Sequence, residues 1–165
     1  MFAMEMLYRL RSEEHQILRQ GFGQWLSVLG YAPTSVASMP RHLQEFLYYQ
    51  ESRGKYSLSQ LSAGDATDFI NALQTRIGAR TGRGFSTAHI NKYIQVLHLF
   101  SQYIRRTGKS GVGFTLARLP EDETLPVWLS RQEIRRLYAA TEDDVLGLRD
   151  RAMLSVFYGC GLRLQ

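Results

Sequence analysis

Apolar residues recur at three- and four-residue spacing through six segments of this 165-residue chain, and nothing alternates with the period of two that a half-buried strand requires. That pattern predicts an all-α protein. The first segment runs from about Ser12 to Leu29, with Ile17, Leu18, Phe22, Trp25, Leu26 and Leu29 on one face, and stops at Gly30-Tyr31-Ala32-Pro33. The second lies between Thr34 and Arg53, buries Leu43, Phe46 and Leu47 with Tyr48 or Tyr49, and closes at Gly54. Pro40 fits two readings there, a kinked helix from Thr34 or a later start with Ser38 as N-cap. The third begins at Ser62, where Asp65 completes a capping-box-like pair, and runs to about Arg80 with Phe69, Ile70, Leu73 and Ile77 on one face.

Gly78, Gly82 and Gly84 then make a basic loop. The fourth helix starts at Ser86, presents Ile90, Tyr93, Ile94, Leu97, Phe100 and Ile104 to the core, and stops at Gly108. Lys109 to Pro126 carries Gly111, Gly113, Pro120 and an acidic Glu121-Asp122-Glu123 patch without sustained periodicity, and is assigned as a linker. Ser130 and Glu133 open a fifth helix that ends near Ala140. In the sixth, Met153, Leu154, Val156 and Phe157 predict a buried helix ended by Gly159 and Gly161, with Arg163 immediately after; Tyr138 and Tyr158 fall on core-facing positions.

Charge narrows the function. The net charge is +5, and seventeen of the twenty basic residues are arginine. Acids stop at Asp68 and resume at Glu121, while Arg76, Arg80, Arg83, Lys92, Arg105, Arg106, Lys109 and Arg118 fall between them. A solvated helix surface mixes both signs, so an acid-free span with eight cations favours a polyanionic partner. Arginine suits phosphate and base-edge recognition, because its planar fork donates two parallel hydrogen bonds. No apolar run approaches the roughly 20 residues a membrane-spanning helix needs. The single cysteine allows no internal disulfide and fits a cytoplasmic location.

Three stretches carry a family resemblance: Leu125-Pro126-Val127-Trp128-Leu129-Ser130-Arg131-Gln132-Glu133, then Leu148-Arg149-Asp150-Arg151, then Tyr158-Gly159-Cys160-Gly161-Leu162-Arg163. Together they resemble the opening of a tyrosine recombinase catalytic domain, of the phage-integrase family and most closely its Xer-like members. The resemblance runs in order from about Ser35 to Gln165, and the last forty residues are its specific part. It implies residues 1–108 as a four-helix, SAM-like core-binding domain, 109–126 as the linker, and 127–165 as the beginning of a catalytic domain. It implies Arg163 as the first catalytic arginine. Cys160 stands where the family usually has a small residue or threonine. The lysine, the His-x-x-Arg pair and the nucleophilic tyrosine of the family have no counterpart among these residues, so the chain is expected to be an inactive fragment of a longer enzyme.

The resemblance further implies that the first domain is one jaw of a clamp around duplex DNA, with its second and fourth helices toward the major groove. It implies self-association as a tetramer on paired sites, and a strand exchange that needs neither cofactor nor metal. The residues support the fourth helix independently. Its N-terminus offers unpaired N–H groups and the positive end of the helix dipole. Arg80 and Arg83 lie ahead of it, and Ser86, Thr87, His89, Asn91 and Lys92 occupy the non-core face of its first turns. On the second helix Arg41 is the DNA-contact candidate, beside the polar His42 and Gln44. The alternative is a non-catalytic helical DNA-binding or interaction module that shares only the first jaw.

Other chemistries fail on spacing. Gly108-Lys109-Ser110 has the ending of a nucleotide-binding loop, but Tyr103 stands where its first glycine must be, after a helix instead of a strand. His15, His42, His89 and His98 lack metal-ligand spacing, and Cys160 has no partner.

Overall fold

The structure is a computed structural model that describes residues 8–77, 82, 84–109, 113–121 and 128–160. Among the described residues the regular structure is six α-helices, α1 (Glu13–Val28), α2 (Pro33–Ser52), α3 (Ala63–Thr75), α4 (Thr87–Arg106), α5 (Arg131–Ala139) and α6 (Val145–Cys160), with a 3-10 turn at Leu58–Gln60. Among the described residues the only extended pairing is one antiparallel bridge between Ile77 and Gly84. The protein is all-α. It divides into two compact units, Met1–Glu121 and Asp122–Gln165.

Helix starts follow local chemistry. The Ser12 hydroxyl accepts the His15 N–H at 3.2 Å and the Ser86 hydroxyl accepts the His89 N–H at 3.3 Å, each satisfying a donor that has no partner within its own helix. Ser62 and Ser130 donate their N–H groups to Asp65 and Glu133, both at 2.7 Å, which closes two capping boxes. Gly30, Gly54 and Gly108 then take positive φ just past the ends of α1, α2 and α4, a region closed to most side chains.

Helix α2 resolves the choice left by Pro40. It begins at Pro33 and passes through Pro40, which is buried. Gly23 of α1 makes room for the ring, since a Cβ there would sit 3.3 Å from the proline Cγ. Helix α3 ends at Thr75, short of Arg80, because Arg76 turns to extended backbone and its guanidinium goes to Glu45 and to the Tyr8 hydroxyl.

The core of the first unit is centred on Phe22, Phe46 and Phe100, all fully buried, with Leu43, Leu47 and Ile104 around them. Two expected core residues of α1 are displaced. Ile17 and Leu29 are exposed, while His15 is completely buried against Glu51. The predicted linker is also shorter than its composition implies. Phe114 is buried against Phe46 and Phe100, its N–H donates to the Ser101 hydroxyl at 2.9 Å, and Leu116 and Leu119 pack beside it. Residues 113–121 therefore form a strap on the bundle, and the compact unit reaches Glu121 instead of ending at Gly108.

In the second unit the expectation of a buried helix fails. Met153, Val156 and Tyr158 of α6 are exposed, as are Leu146 and Leu148; the described residues of this unit form two helices, which give each apolar face at most one neighbour. Tyr138 is half-buried, and its hydroxyl bonds with that of Ser155 at 3.0 Å. Helix α6 continues through Gly159 to Cys160. Arg151, from the Arg-Asp segment, holds the preceding loop by donating to the Thr141 hydroxyl at 2.6 Å and the Asp143 carboxylate at 2.6 Å.

Candidate nucleic-acid interface

The N-terminus of α4 and the middle of α2 come together through four rings. His42 of α2 stacks edge-on against Tyr93 of α4, with centroids 4.6 Å apart, and lies 6.1 Å from the ring of His89. His89 in turn meets Tyr93 at 5.4 Å and Phe85 at 4.9 Å. Lys92, one turn further along α4, is exposed beside them, and Arg41 is half-buried on α2. Residues fifty positions apart in sequence thus share one surface, where α4 also contributes the exposed N-cap Ser86 and the half-buried Thr87.

A buried acid holds this surface from behind. Glu45, 4% exposed, accepts the Tyr93 hydroxyl at 2.7 Å and the Arg76 guanidinium. Burial first, and then the hydrogen bond and negative charge of Glu45, push the Tyr93 hydroxyl far above its ordinary pKa, so it stays a neutral donor. Arg76 is therefore paired with an acid and does not belong with the free cations of the acid-free span.

The two histidines titrate below the usual histidine value. For His42 burial is the main cause, opposed by the hydrogen bond to the Ser38 carbonyl and reinforced by His89 and Lys92. For His89 burial leads again, followed by the charge of Lys92. Both rings are neutral at neutral pH, so they meet a ligand as hydrogen-bonding groups and stacking surfaces. Their contribution to stability is whole above the ordinary histidine pKa and is lost as the pH falls through the lowered values, where only the unfolded chain takes up protons freely. An NMR titration of the ring protons is expected to give both midpoints below that of a model histidine; midpoints at or above it contradict the assignment.

Asn91 has a different role from the one expected. It is buried, its amide oxygen accepts the Leu119 N–H at 2.9 Å, and its amide nitrogen donates to the Leu119 carbonyl at 3.0 Å and to Glu121 at 2.7 Å. It clips the 113–121 strap to α4 and has no hydrogen-bonding edge left for DNA. His98 does related work, its Nε2 accepting the Leu116 N–H at 3.3 Å. Arg80, Arg83 and Arg163 lie outside the described residues. Sequence spacing alone did not reveal Glu45 or the ring contacts of His42, since nothing local signals an acid that faces inward.

No helix of the described residues is long and apolar enough to cross a membrane, and no cluster of metal-ligating side chains occurs among them. No family model matches the chain, and no solved structure does. Curated proteins do match. The chain is 37% identical over 98 residues to tyrosine recombinase XerD of Pseudomonas aeruginosa, covering 58% of this chain and 33% of that protein. It is 27% identical over 139 residues to tyrosine recombinase XerD of Oceanobacillus iheyensis, covering 82% of this chain and 44% of that protein. With tyrosine recombinase XerC of Shewanella amazonensis it shares 30% identity over 113 residues, 67% of this chain and 36% of that protein.

The chain belongs to the tyrosine recombinase family. These matches cover only about a third to somewhat under half of each tyrosine recombinase's length. The all-helical bundle is consistent with the N-terminal region of such a recombinase.

Proposed function

We propose that this chain is the DNA-binding portion of a site-specific tyrosine recombinase. Its first unit is a SAM-like core-binding domain that grips duplex DNA through the first turns of α4 and the middle of α2. The observation that carries this reading is the convergence of His42 of α2 with His89, beside Lys92, at the N-terminal turns of α4, with Arg41 adjacent to His42 on α2. Phosphate contacts from Lys92, Arg41 and the α4 N-terminus fix register, while His89 and Thr87 reach base edges. Arg80 and Arg83 belong to the same interface by their position in the loop ahead of α4.

In the reaction proposed for the whole enzyme, a tyrosine hydroxyl attacks the scissile phosphorus, the bond to the 5′ oxygen breaks, and a 3′-phosphotyrosyl link forms. The departing 5′ oxygen takes up a proton, and a partner strand's 5′-hydroxyl later reverses the step. The tyrosine comes from the part of the family's length that this chain does not span. Arg163 binds the non-bridging oxygens and neutralises charge at the five-coordinate phosphorus, a contribution of about 10²–10³-fold for one preorganised donor. Assembly as a tetramer on paired sites and a cytoplasmic location follow from the same reading.

Binding to duplex DNA across a salt series tests it. Log K is expected to fall linearly with log salt, with slope about −0.9 per phosphate neutralised, and Lys92→Gln is expected to shallow that slope by about 0.9. His89→Ala is expected to weaken binding while leaving the slope unchanged. No binding to duplex at low salt, or a slope near zero, sinks the proposal.

A further inference from the structure

We propose that the groove between α1 and α2 is a second DNA-backbone site, which extends the contact surface of α2 and α4 along one strand. It rests on the DNA-binding reading above. The groove measures about 1220 Å³ and is lined by Arg9, Arg11, Arg19 and Arg41, with Gln20 and Gln24 among its polar residues. Among the described residues none that lines it is acidic.

That absence is arranged. Helices α1 and α2 contain four acids, Glu13, Glu14, Glu45 and Glu51. Glu45 and Glu51 are buried in the bundle. Glu13 and Glu14 line a separate hollow beside Ile17, where Glu14 accepts the Leu58 N–H at 2.8 Å. The two helices have therefore sorted their charges, leaving one face on which every charged lining residue is a cation.

The segment ahead of α1 is held in place for the same purpose. Segments outside regular structure are ordinarily more mobile than the helices they join. Here Gln44 donates to the Tyr8 carbonyl at 2.7 Å and Gln16 to the Leu10 carbonyl at 3.1 Å, while Glu51 accepts the N–H groups of Arg11 and Ser12. Leu10 is buried as an anchor, and Arg9 and Arg11, on either side of it, line the groove. Backbone clamps of this kind reduce the entropy lost when two arginines meet a ligand.

The occupant follows from charge and shape. From Val36 to Tyr48 the α2 wall spans roughly 18 Å at 1.5 Å per residue. Laid parallel to the duplex axis, that wall spans about five charges of one DNA strand at 3.4 Å of axis each. Arginines and glutamine amides are suitable donors to phosphate and sugar oxygens. Continuity supports the same choice, because Arg41 lines the groove and its neighbour His42 stacks with the α4 surface.

The test uses the whole chain and a duplex of unrelated sequence, since backbone contacts are blind to sequence. The double variant Arg9→Gln/Arg11→Gln is expected to reduce the magnitude of the salt slope by about 1.8, roughly 0.9 for each arginine, with helical content unchanged. Gln20→Glu/Gln24→Glu, two exposed positions on α1 where glutamate suits a helix, is expected to weaken binding on the order of tenfold at low salt by repelling phosphate. An unaltered slope in the first variant, or an unaltered affinity in the second, overturns the groove as a DNA site while wild-type binding and the Lys92→Gln effect stand. Failure of the wild-type chain to bind duplex overturns the underlying reading instead.

Discussion

Glu51→Ala is expected to destabilise the first unit by about 3 kcal/mol or more, because three donors lose their acceptor at once. The Glu51 carboxylate accepts three donors: the Arg11 N–H at 2.7 Å, the Ser12 N–H at 3.1 Å and the His15 ring at 3.0 Å. His15 is fully buried and the Glu51 side chain is 3% exposed, so water does not readily replace the lost acceptor. Each orphaned donor then carries a desolvation penalty of about 1–3 kcal/mol. Against a typical total stability of about 5–15 kcal/mol, that is a large fraction. Urea unfolding followed by circular dichroism reads the change directly. Glu51→Gln keeps the shape and one acceptor oxygen, so it is expected to lose less. A shift below about 1 kcal/mol for the alanine variant contradicts the role assigned to this acid. The same substitution frees the segment that displays Arg9 and Arg11, so any residual folded protein is expected to bind DNA with a shallower salt slope.

Phe114→Ala is the second large effect, expected to cost about 3–5 kcal/mol, the usual range for truncating a buried phenylalanine to alanine. The ring is 4% exposed and sits 5.6 Å from Phe46 and 6.3 Å from Phe100, centroid to centroid. Truncation opens a cavity where the strap meets the bundle, and residues 113–121 are then held mainly by hydrogen bonds to Asn91, His98 and Ser101. Limited proteolysis is expected to cut the variant inside that strap at protease levels the wild type withstands. Equal stability and equal protease resistance would falsify the strap and restore the linker assignment. The comparison is sharp because Phe114 stands in a stretch rich in glycine and proline, where composition alone predicts no burial.

The candidate interface was partly legible for a physical reason. Ser86 as N-cap, and Thr87, His89 and Lys92 on the first turns of α4, follow from helical spacing and capping, which depend on residues within four positions of one another. Asn91 has the same local credentials and is nonetheless engaged by a strap 28 residues away. Arg76 counted among the free cations until Glu45, 31 residues back, claimed it. Arg9 and Arg11 are obscured in sequence by Glu13 and Glu14 just after them, and only folding sets those two acids in a separate hollow.

By itself, then, the order of residues determined the helical class, the helix starts at Ser12, Ser62, Ser86 and Ser130, and the family resemblance carried by the last forty residues. Those features rest on contacts within one or two helical turns or on motifs that keep their spacing. The tertiary structure alone decided which polar groups turn inward, how the 113–121 strap closes on the bundle, and where α1 and α2 leave a cationic groove. These depend on partners distant in sequence, such as Asn91 and Leu119, 28 residues apart, or Tyr93 and Glu45, 48 apart. Whether a carboxylate meets water or a buried donor is settled only when the helices have packed.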